Sequence, residues 1–257
     1  MDNANAQPFN PAPQASKKLS GIMDLFKKTW EVLQNNIWVF VKLMVLNLVV
    51  SFVAGLILAA SFVPVIGGAA GFIASLNEES AIGASVSAAS VLIGLLISAV
   101  VFVFLIIFSI WINASLMLAV KEKNPNINIK ELLKMGWGKT RSFFWISILT
   151  CLAVLAGLVL LVIPGFIFAI WFSFSSYILI WEGKKGIDAL KRSKQLVKGY
   201  WWPVFGRFLL FGIIFWIASL VLGLIPVVGP LAVAFVGTPF ALIYVSLLYE
   251  DLKQIKG

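Results

Sequence analysis

Hydrophobic residues run along this chain of 257 residues in six long blocks, and most of the charged residues lie in the short segments between them. An apolar helix of about 20 residues crosses the ~30 Å of hydrocarbon in a bilayer. The blocks lie at residues 37–62, 90–118, 143–163, 166–181, 204–225 and from there to Tyr249. The pattern predicts an all-α membrane helix bundle with six transmembrane helices, which forms a single domain over residues 20–257.

The charged residues predict how this bundle is oriented. All 20 Lys and Arg residues fall in short loops, in the tails or in the first turns of a span, and one topology puts them all on the same side. Only Glu78 and Glu79 are then charged on the other side. Because basic residues concentrate on the cytoplasmic side of membrane proteins, we expect a multi-pass protein of the cytoplasmic membrane with both termini in the cytoplasm.

Composition supports a membrane protein and narrows its partners. Hydrophobic residues make up 61% of the chain, charged residues 12%, and the mean hydropathy is +1.00. Soluble domains carry about 25% charged residues. The net charge of +9 comes from residues that flank apolar blocks, so anionic lipids are the expected partner and nucleic acid is not. The single cysteine, Cys151, lies in an apolar block, where a packing role is expected.

Before the first block the sequence changes character twice. Residues 1–19 are polar and rich in Pro, Ala and Asn, without the basic and then apolar pattern of a signal peptide, and we expect a disordered cytoplasmic tail. Residues 20–36 then place apolar side chains at helical spacing, with charged side chains between them. This segment is predicted to be an amphipathic helix on the membrane surface.

Two more basic amphipathic segments precede the third and the fifth block, which suggests an internal repeat. Three residue pairs share a spacing of twelve positions: Phe26 with Trp38, Leu133 with Trp145, and Leu190 with Trp202. We therefore predict three hairpin repeats, each preceded by a cytoplasmic amphipathic surface helix. The alternative is that six-span proteins generally place Trp at membrane interfaces.

Proline and glycine mark the predicted turns at the outer ends of the hairpins. The turn residues are Pro64, Pro164, Gly165, Pro226 and Gly229. Between the first turn, at residues 62–68, and the second block we expect a loop of small residues that carries Glu78 and Glu79. Thr238 and Pro239 are expected to interrupt the sixth span.

Charged residues in and next to the surface helices are the candidate contacts for lipid headgroups or a partner. They are Lys134, Arg141, Glu182, Lys191, Arg192, Lys194, Lys198 and Arg207. The alternative is that these helices only anchor the spans and recognise no particular lipid. We expect Glu182 to cap a helix or pair with Arg192 or Arg207. Lys42 and Arg207 lie just inside spans and are expected to snorkel, although an inward-facing pair would suit a phosphate.

Residues able to perform chemistry are scarce. The chain has no histidine, which excludes imidazole bases and Ser-His-Asp catalysis, and the blocks carry no mid-membrane Asp or Glu for an ion relay. We predict no catalytic residue, no metal site and no cofactor. The polar residues within the blocks are expected to form interhelical hydrogen bonds, or else to line a solute path, and they include Asn113, Thr150, Ser173, Ser175 and Tyr177.

Residues 163–206, IPGFIFAIWFSFSSYILIWEGKKGIDALKRSKQLVKGYWWPVFG, resemble a known sequence signature. The positions that carry the likeness are Pro164, Gly165, Glu182, Gly183, Ala189, Leu190, Ser193 and Gly199. In these positions the segment is similar to the membrane domain of the glycerophosphoryl diester phosphodiesterase family, which is prokaryotic and largely uncharacterised. The resemblance implies a membrane module that associates with lipids or with another envelope protein.

The same resemblance raises the question of activity. In some members of that family the membrane domain precedes a phosphodiesterase barrel that depends on histidines and metal-binding carboxylates. This sequence has no histidine and continues for only eight residues after Tyr249, so we expect a standalone module without that activity.

The leading hypothesis is therefore a non-enzymatic integral membrane protein that acts as a lipid-associated scaffold or accessory module. The first alternative is a transporter of a small solute or a lipid. The second is a lipid-modifying enzyme at the cytoplasmic rim, which would need Glu182 and Asp188 to converge on a metal. The oligomeric state stays open.

Overall fold

A computed structural model describes residues 19–77, 81–160 and 162–256, and within these ranges the chain is helical with no strand. Six helical segments of the described chain are long and apolar enough to cross a membrane. The prediction of an all-α membrane bundle is therefore confirmed at that level. The predicted disordered tail, except residue 19, and the outer residues Glu78 and Glu79 lie outside the described residues.

The first two helices form one long antiparallel hairpin. Helix α1 spans Ile22–Asn77 and α2 spans Ala81–Glu122. The 56 residues of α1 make it roughly 84 Å long at 1.5 Å per residue, compared with about 30 Å of hydrocarbon. Helix α1 includes residues 22–36 of the segment that was predicted to be amphipathic. It continues from there into the first predicted span without a break.

Pro64 lies inside α1, so the outer turn predicted at residues 62–68 is wrong. The small-residue loop predicted after it is also wrong, because α1 continues to Asn77 and α2 begins at Ala81. No charged residue lies between Lys42 and Glu78, and an apolar chain in lipid satisfies its backbone polar groups by staying helical. A proline is tolerated in such a helix where a neighbouring helix packs closely.

Small residues let α1 and α2 approach each other closely in this part of the hairpin. A Cβ atom on Gly94 would lie 2.8 Å from the carbonyl oxygen of Ser61, and one on Gly68 would lie 2.7 Å from that of Ser87. The Ser61 and Ser98 hydroxyls are 2.7 Å apart and share a hydrogen bond between the helices. Such contacts between small residues are the usual way in which helices associate in lipid.

The second hairpin consists of α3, Ile129–Leu160, and a broken return segment made of α4, Val162–Phe172, and α5, Ser175–Trp181. Pro164 and Gly165 were predicted to form the turn of this hairpin. They lie instead in the first turn of α4. Proline fits here because the first amides of a helix have no partner within it. A Cβ atom on Gly157 would lie 2.9 Å from Gly165 Cα, so α3 and α4 pack closely.

The remaining helices are α6, Gly186–Val197; α7, Trp201–Gly223; α8, Val228–Ala232; and α9, Thr238–Lys256. Pro226 lies in the turn between α7 and α8 as predicted, whereas Gly229 lies in α8 against the carbonyl of Leu222. A π turn at Val233–Gly237 directly precedes α9. Thr238 and Pro239 are the first residues of α9, so the irregularity lies before them and not at the two residues where it was predicted.

One end of the bundle, which we call the basic end, contains most of the buried core and many contacts made by Lys and Arg. Ser20 N donates to Asp251 at 3.1 Å, which joins the start of α1 to α9. Lys123 pairs with Glu250 at 3.1 Å, and Lys121 donates to the carbonyl of Ile180 at 3.0 Å. Away from this end the helices expose large apolar side chains, as a lipid-facing surface requires.

Candidate functional site

Glu182, directly after α5, connects three helical elements at the basic end. Its Oε1 accepts a 2.9 Å hydrogen bond from the hydroxyl of Tyr249 in α9. Its Oε2 lies 3.4 Å from Arg192 Nε in α6 and 3.3 Å from Lys184 Nζ in the preceding loop. The predicted pairing of Glu182 with Arg192 is therefore present, and Tyr249 is a partner that sequence analysis missed.

These neighbours keep the Glu182 carboxylate charged. Burial raises its pKa, but the hydrogen bond from Tyr249 and the charges of Arg192 and Lys184 act in the opposite direction and outweigh it, so the pKa lies below the ordinary value. Because the side chain is only 11% exposed, its charge is satisfied mainly by these partners. Glu182 is therefore a structural anchor that fixes the position of α6.

Helix α6 packs one face on the bundle and turns its cations outward. Its buried residues are Ala189, Leu190, Ser193, Leu196 and Val197, a helical stripe with spacings of one, three and four. The turn into α6 contains Gly183 with φ +72°, a conformation that favours glycine. Lys191, Lys194 and Lys198 are exposed.

Ser193 closes the break between α4 and α5. Its hydroxyl donates to the carbonyl of Trp171 at 2.6 Å and accepts a hydrogen bond from the amide of Phe174 at 3.2 Å. These are backbone groups that the break leaves without ordinary helical partners. In the sequence, Ser193 stands out through the family resemblance, and its place on the apolar face of α6 is the signal that could have predicted this contact.

A groove opens between α4, the end of α6 and the start of α7. This α6 groove has a volume of about 450 Å³ and is lined by Ile163, Ile167, Trp171, Lys198, Gly199, Trp201 and Trp202. The Lys194 ammonium lies 4.3 Å from the centre of the Trp171 ring, a cation–π distance. The site thus combines apolar walls, indole rings and two cations.

The other predicted contact residues lie away from this groove. Arg207 donates to the carbonyl of Ser20 at 2.7 Å and to that of Pro203 at 3.0 Å, so its guanidinium binds the chain itself. Lys134 and Arg141 lie on α3 and line two different cavities, and Trp137 lines both of them. The structure therefore separates the eight predicted residues into the α6 region, the Arg207 contact and a second surface on α3.

The described residues contain no group of three His, Cys, Asp or Glu side chains that could hold a metal ion. Glu182, the carboxylate proposed for rim chemistry, is surrounded by a hydroxyl and two cations.

Comparison with models of known protein families found no match. Comparisons with curated proteins and with solved structures found none either. The resemblance of residues 163–206 to the phosphodiesterase membrane-domain family therefore stays a prediction.

Proposed function

We propose that this protein is a non-enzymatic, lipid-associated scaffold or accessory module of the cytoplasmic membrane, and that it holds an anionic phospholipid in the α6 groove. The observation that carries the proposal is the combination of Lys194 and Lys198 with Trp171 and Trp202 around one apolar groove. A phosphate headgroup pairs with the ammonium groups, and an acyl chain lies along Ile163 and Ile167.

The chemistry of the groove favours a lipid over a soluble ligand. Each basic residue near an anionic leaflet contributes about 1 kcal/mol of attraction. Indole rings prefer the headgroup level, where one part of the ring is apolar and its N–H is hydrated. Trp202 is 74% exposed, which suits a side chain that lies in the interface.

The proposal includes the topology and the repeat. The basic end faces the cytoplasm, with both termini on that side. The Ser20–Asp251 hydrogen bond supports the second point, because it joins the start of α1 to α9 at one end of the bundle. Three hairpin units, each with an amphipathic segment, make up the bundle. They have diverged: in the first two units this segment continues into the span, while α6 is a separate helix.

A transporter of a small solute or a lipid is the second candidate. The π turn at Val233–Gly237 favours it, because π turns are frequent at functional sites of helices. The serines proposed for a polar path support it less, since Ser173 donates to the carbonyl of Ile170 and Ser175 to that of Phe172. A vesicle assay of phospholipid scrambling distinguishes the two: activity that depends on the π turn supports transport.

The proposed function is tested by native mass spectrometry of the protein released from nanodiscs of phosphatidylglycerol and phosphatidylcholine. We expect wild type to retain phosphatidylglycerol. The double variant Lys194→Gln/Lys198→Gln should bind it roughly thirtyfold more weakly. The matched control is Lys27→Gln/Lys28→Gln, which removes two exposed cations from α1.

Equal loss of lipid in both double variants would mean that only the overall charge matters. In that case α6 is an anchor without a specific site, and the proposal is wrong. Unchanged retention in the α6 variant would also contradict it.

A further inference from the structure

A second groove, which shares no lining residue with the α6 groove, lies between α1, α2 and the start of α3. Its larger part has a volume of about 850 Å³ and is lined by residues that include Val50, Phe104, Trp111, Lys130, Lys134 and Trp137. A smaller cavity of about 460 Å³ is lined by residues that include Val53, Ile57 and Val100. Val50 and Phe104 line both cavities, so the two adjoin at these side chains, and together we call them the α1–α3 groove.

The length of this groove matches one leaflet of a bilayer. Trp111 and Val100 mark its two ends on α2, and they are eleven positions apart in one helix. At 1.5 Å per residue this is about 16 Å. One leaflet contributes about half of the ~30 Å hydrocarbon thickness. From a headgroup at the level of Trp111, an acyl chain in this groove would therefore reach about halfway through the hydrocarbon.

Positive charge lies at only one end of the groove. Lys130 and Lys134 are four positions apart on α3, so their side chains lie on one face of the helix. Beyond Trp111 toward Val100 the lining is apolar. This distribution of charge is complementary to a lipid with an anionic headgroup at the basic end and a hydrocarbon chain below it.

Two tryptophans shape the entrance beside these lysines. The Trp111 indole Nε1 donates to the carbonyl of Leu133 at 2.8 Å, which fixes α2 against α3 at this level. The Trp137 ring meets the Trp111 ring edge-on, with centroids 5.4 Å apart. A hydrogen bond and a ring contact thus hold the shape of the entrance without a bound ligand.

The lining also argues against a second helix as the occupant. Helices that associate in lipid usually meet through Gly, Ala and Ser, which let their backbones approach. The α1–α3 groove is formed mainly by aromatic and branched side chains, such as Phe104, Trp137 and Val50. Irregular walls of this kind suit a flexible acyl chain better than a rigid helix.

We propose that the α1–α3 groove binds one anionic phospholipid from the leaflet at the basic end. The phosphate lies between Lys130 and Lys134, and one acyl chain passes Val50 and Phe104 to reach Val100. The inference shares its ligand class with the proposed function and rests on it to that extent. It uses no residue of the α6 groove, so the two sites can fail independently.

The test uses full-length protein in the same phosphatidylglycerol and phosphatidylcholine nanodiscs, with retained lipids counted by native mass spectrometry. We expect wild type to keep two phosphatidylglycerol molecules. Lys130→Gln/Lys134→Gln should weaken one of them roughly thirtyfold. Val50→Phe fills the junction of the two cavities and should remove the same molecule, while Val45→Phe, at an exposed position of α1, should keep both.

A phosphatidylglycerol with a photoactivatable acyl chain provides a second readout. Cross-links to the peptides that contain Val53 and Val100, reduced at least tenfold by Val50→Phe, support the site. Retention of two lipids in both groove variants would overturn the inference, and so would a dimer whose cross-links between subunits map to Val50 and Phe104. If wild type retained the lipid of the α1–α3 groove but not that of the α6 groove, only the proposed function would be contradicted.

Discussion

The hydroxyl of Tyr249 donates a 2.9 Å hydrogen bond to the carboxylate of Glu182, although the two residues are 67 positions apart. The bond ties the end of α5 to α9, and the same carboxylate pairs with Arg192 of α6 at 3.4 Å. One side chain therefore fixes the position of α6, which contains Lys194 and is followed directly by Lys198. The proposed lipid contact in the α6 groove depends on this anchor but does not use it as a ligand.

We expect Glu182→Ala and Tyr249→Phe each to lower the free energy of unfolding by about 1–3 kcal/mol, because each removes the hydrogen bond between two largely buried polar groups. A double-mutant cycle, followed by thermal unfolding in detergent, should give a coupling of about 0.5–3 kcal/mol. Glu250→Ala is the matched control: its pair with Lys123 is more exposed and should be worth about 0–1 kcal/mol. Additive effects of the two substitutions would show that the 2.9 Å bond contributes nothing to stability.

Glu182 should also make stability depend on pH in the acid range. Its pKa in the folded protein lies below the ordinary value of 4.5, so the folded state favours the carboxylate. This contribution is fully present above pH 4.5 and is lost as the pH falls below 4.5 through the depressed pKa. We therefore expect the difference in Tm between wild type and Glu182→Gln to shrink between about pH 7 and pH 3. A difference that is constant over this range would contradict the assigned role of the charge.

The break between α4 and α5 should depend on Ser193. Ser193→Ala removes the partner of the Phe174 amide and of the Trp171 carbonyl, and we expect a loss of about 1–3 kcal/mol in the free energy of unfolding. Ser246→Ala is the control, because the equally buried Ser246 hydroxyl donates to the carbonyl of Ile243 within its own helix. Thermal unfolding in detergent compares the two variants. Equal losses would mean that closing the break has no special importance.

The sequence predicted the membrane bundle well because the length and hydropathy of a span are local properties. It placed the first outer turn wrongly, since Pro64 and its neighbouring small residues fit a turn as well as a tightly packed helix pair. What decides between these is the close approach of Gly94 to Ser61 and of Gly68 to Ser87 across the hairpin. Such contacts depend on how two helices are placed relative to each other. This placement cannot be read from the sequence of either helix alone.

The candidate site was predictable only in part, for a related reason. The lysines of α6 follow from an amphipathic pattern, and the pairing of Glu182 with Arg192 follows from their closeness in the sequence. Tyr249 reaches Glu182 only after α9 has packed against α5. The α1–α3 groove likewise forms from three helices, and no single segment carries its pattern.

The close packing of α1 on α2 can be tested with two glycines, one at the contact between the helices and one away from it. A Cβ atom on Gly94 would lie 2.8 Å from the carbonyl oxygen of Ser61, so Gly94→Ala must push the helices apart. We expect it to lower the free energy of unfolding by about 1–3 kcal/mol. Gly55 lies in α1 and faces open space. A Cβ atom on it would meet nothing within 4 Å.

Gly55→Ala should therefore leave stability unchanged or raise it by about 0.5–1 kcal/mol, because alanine restricts the unfolded chain. Thermal unfolding of both variants in detergent provides the comparison. If Gly94→Ala were as stable as Gly55→Ala, the outer parts of α1 and α2 would not be in contact at this position. The long continuous hairpin would then be wrong, and the turn near Pro64 would again be the better explanation of this segment.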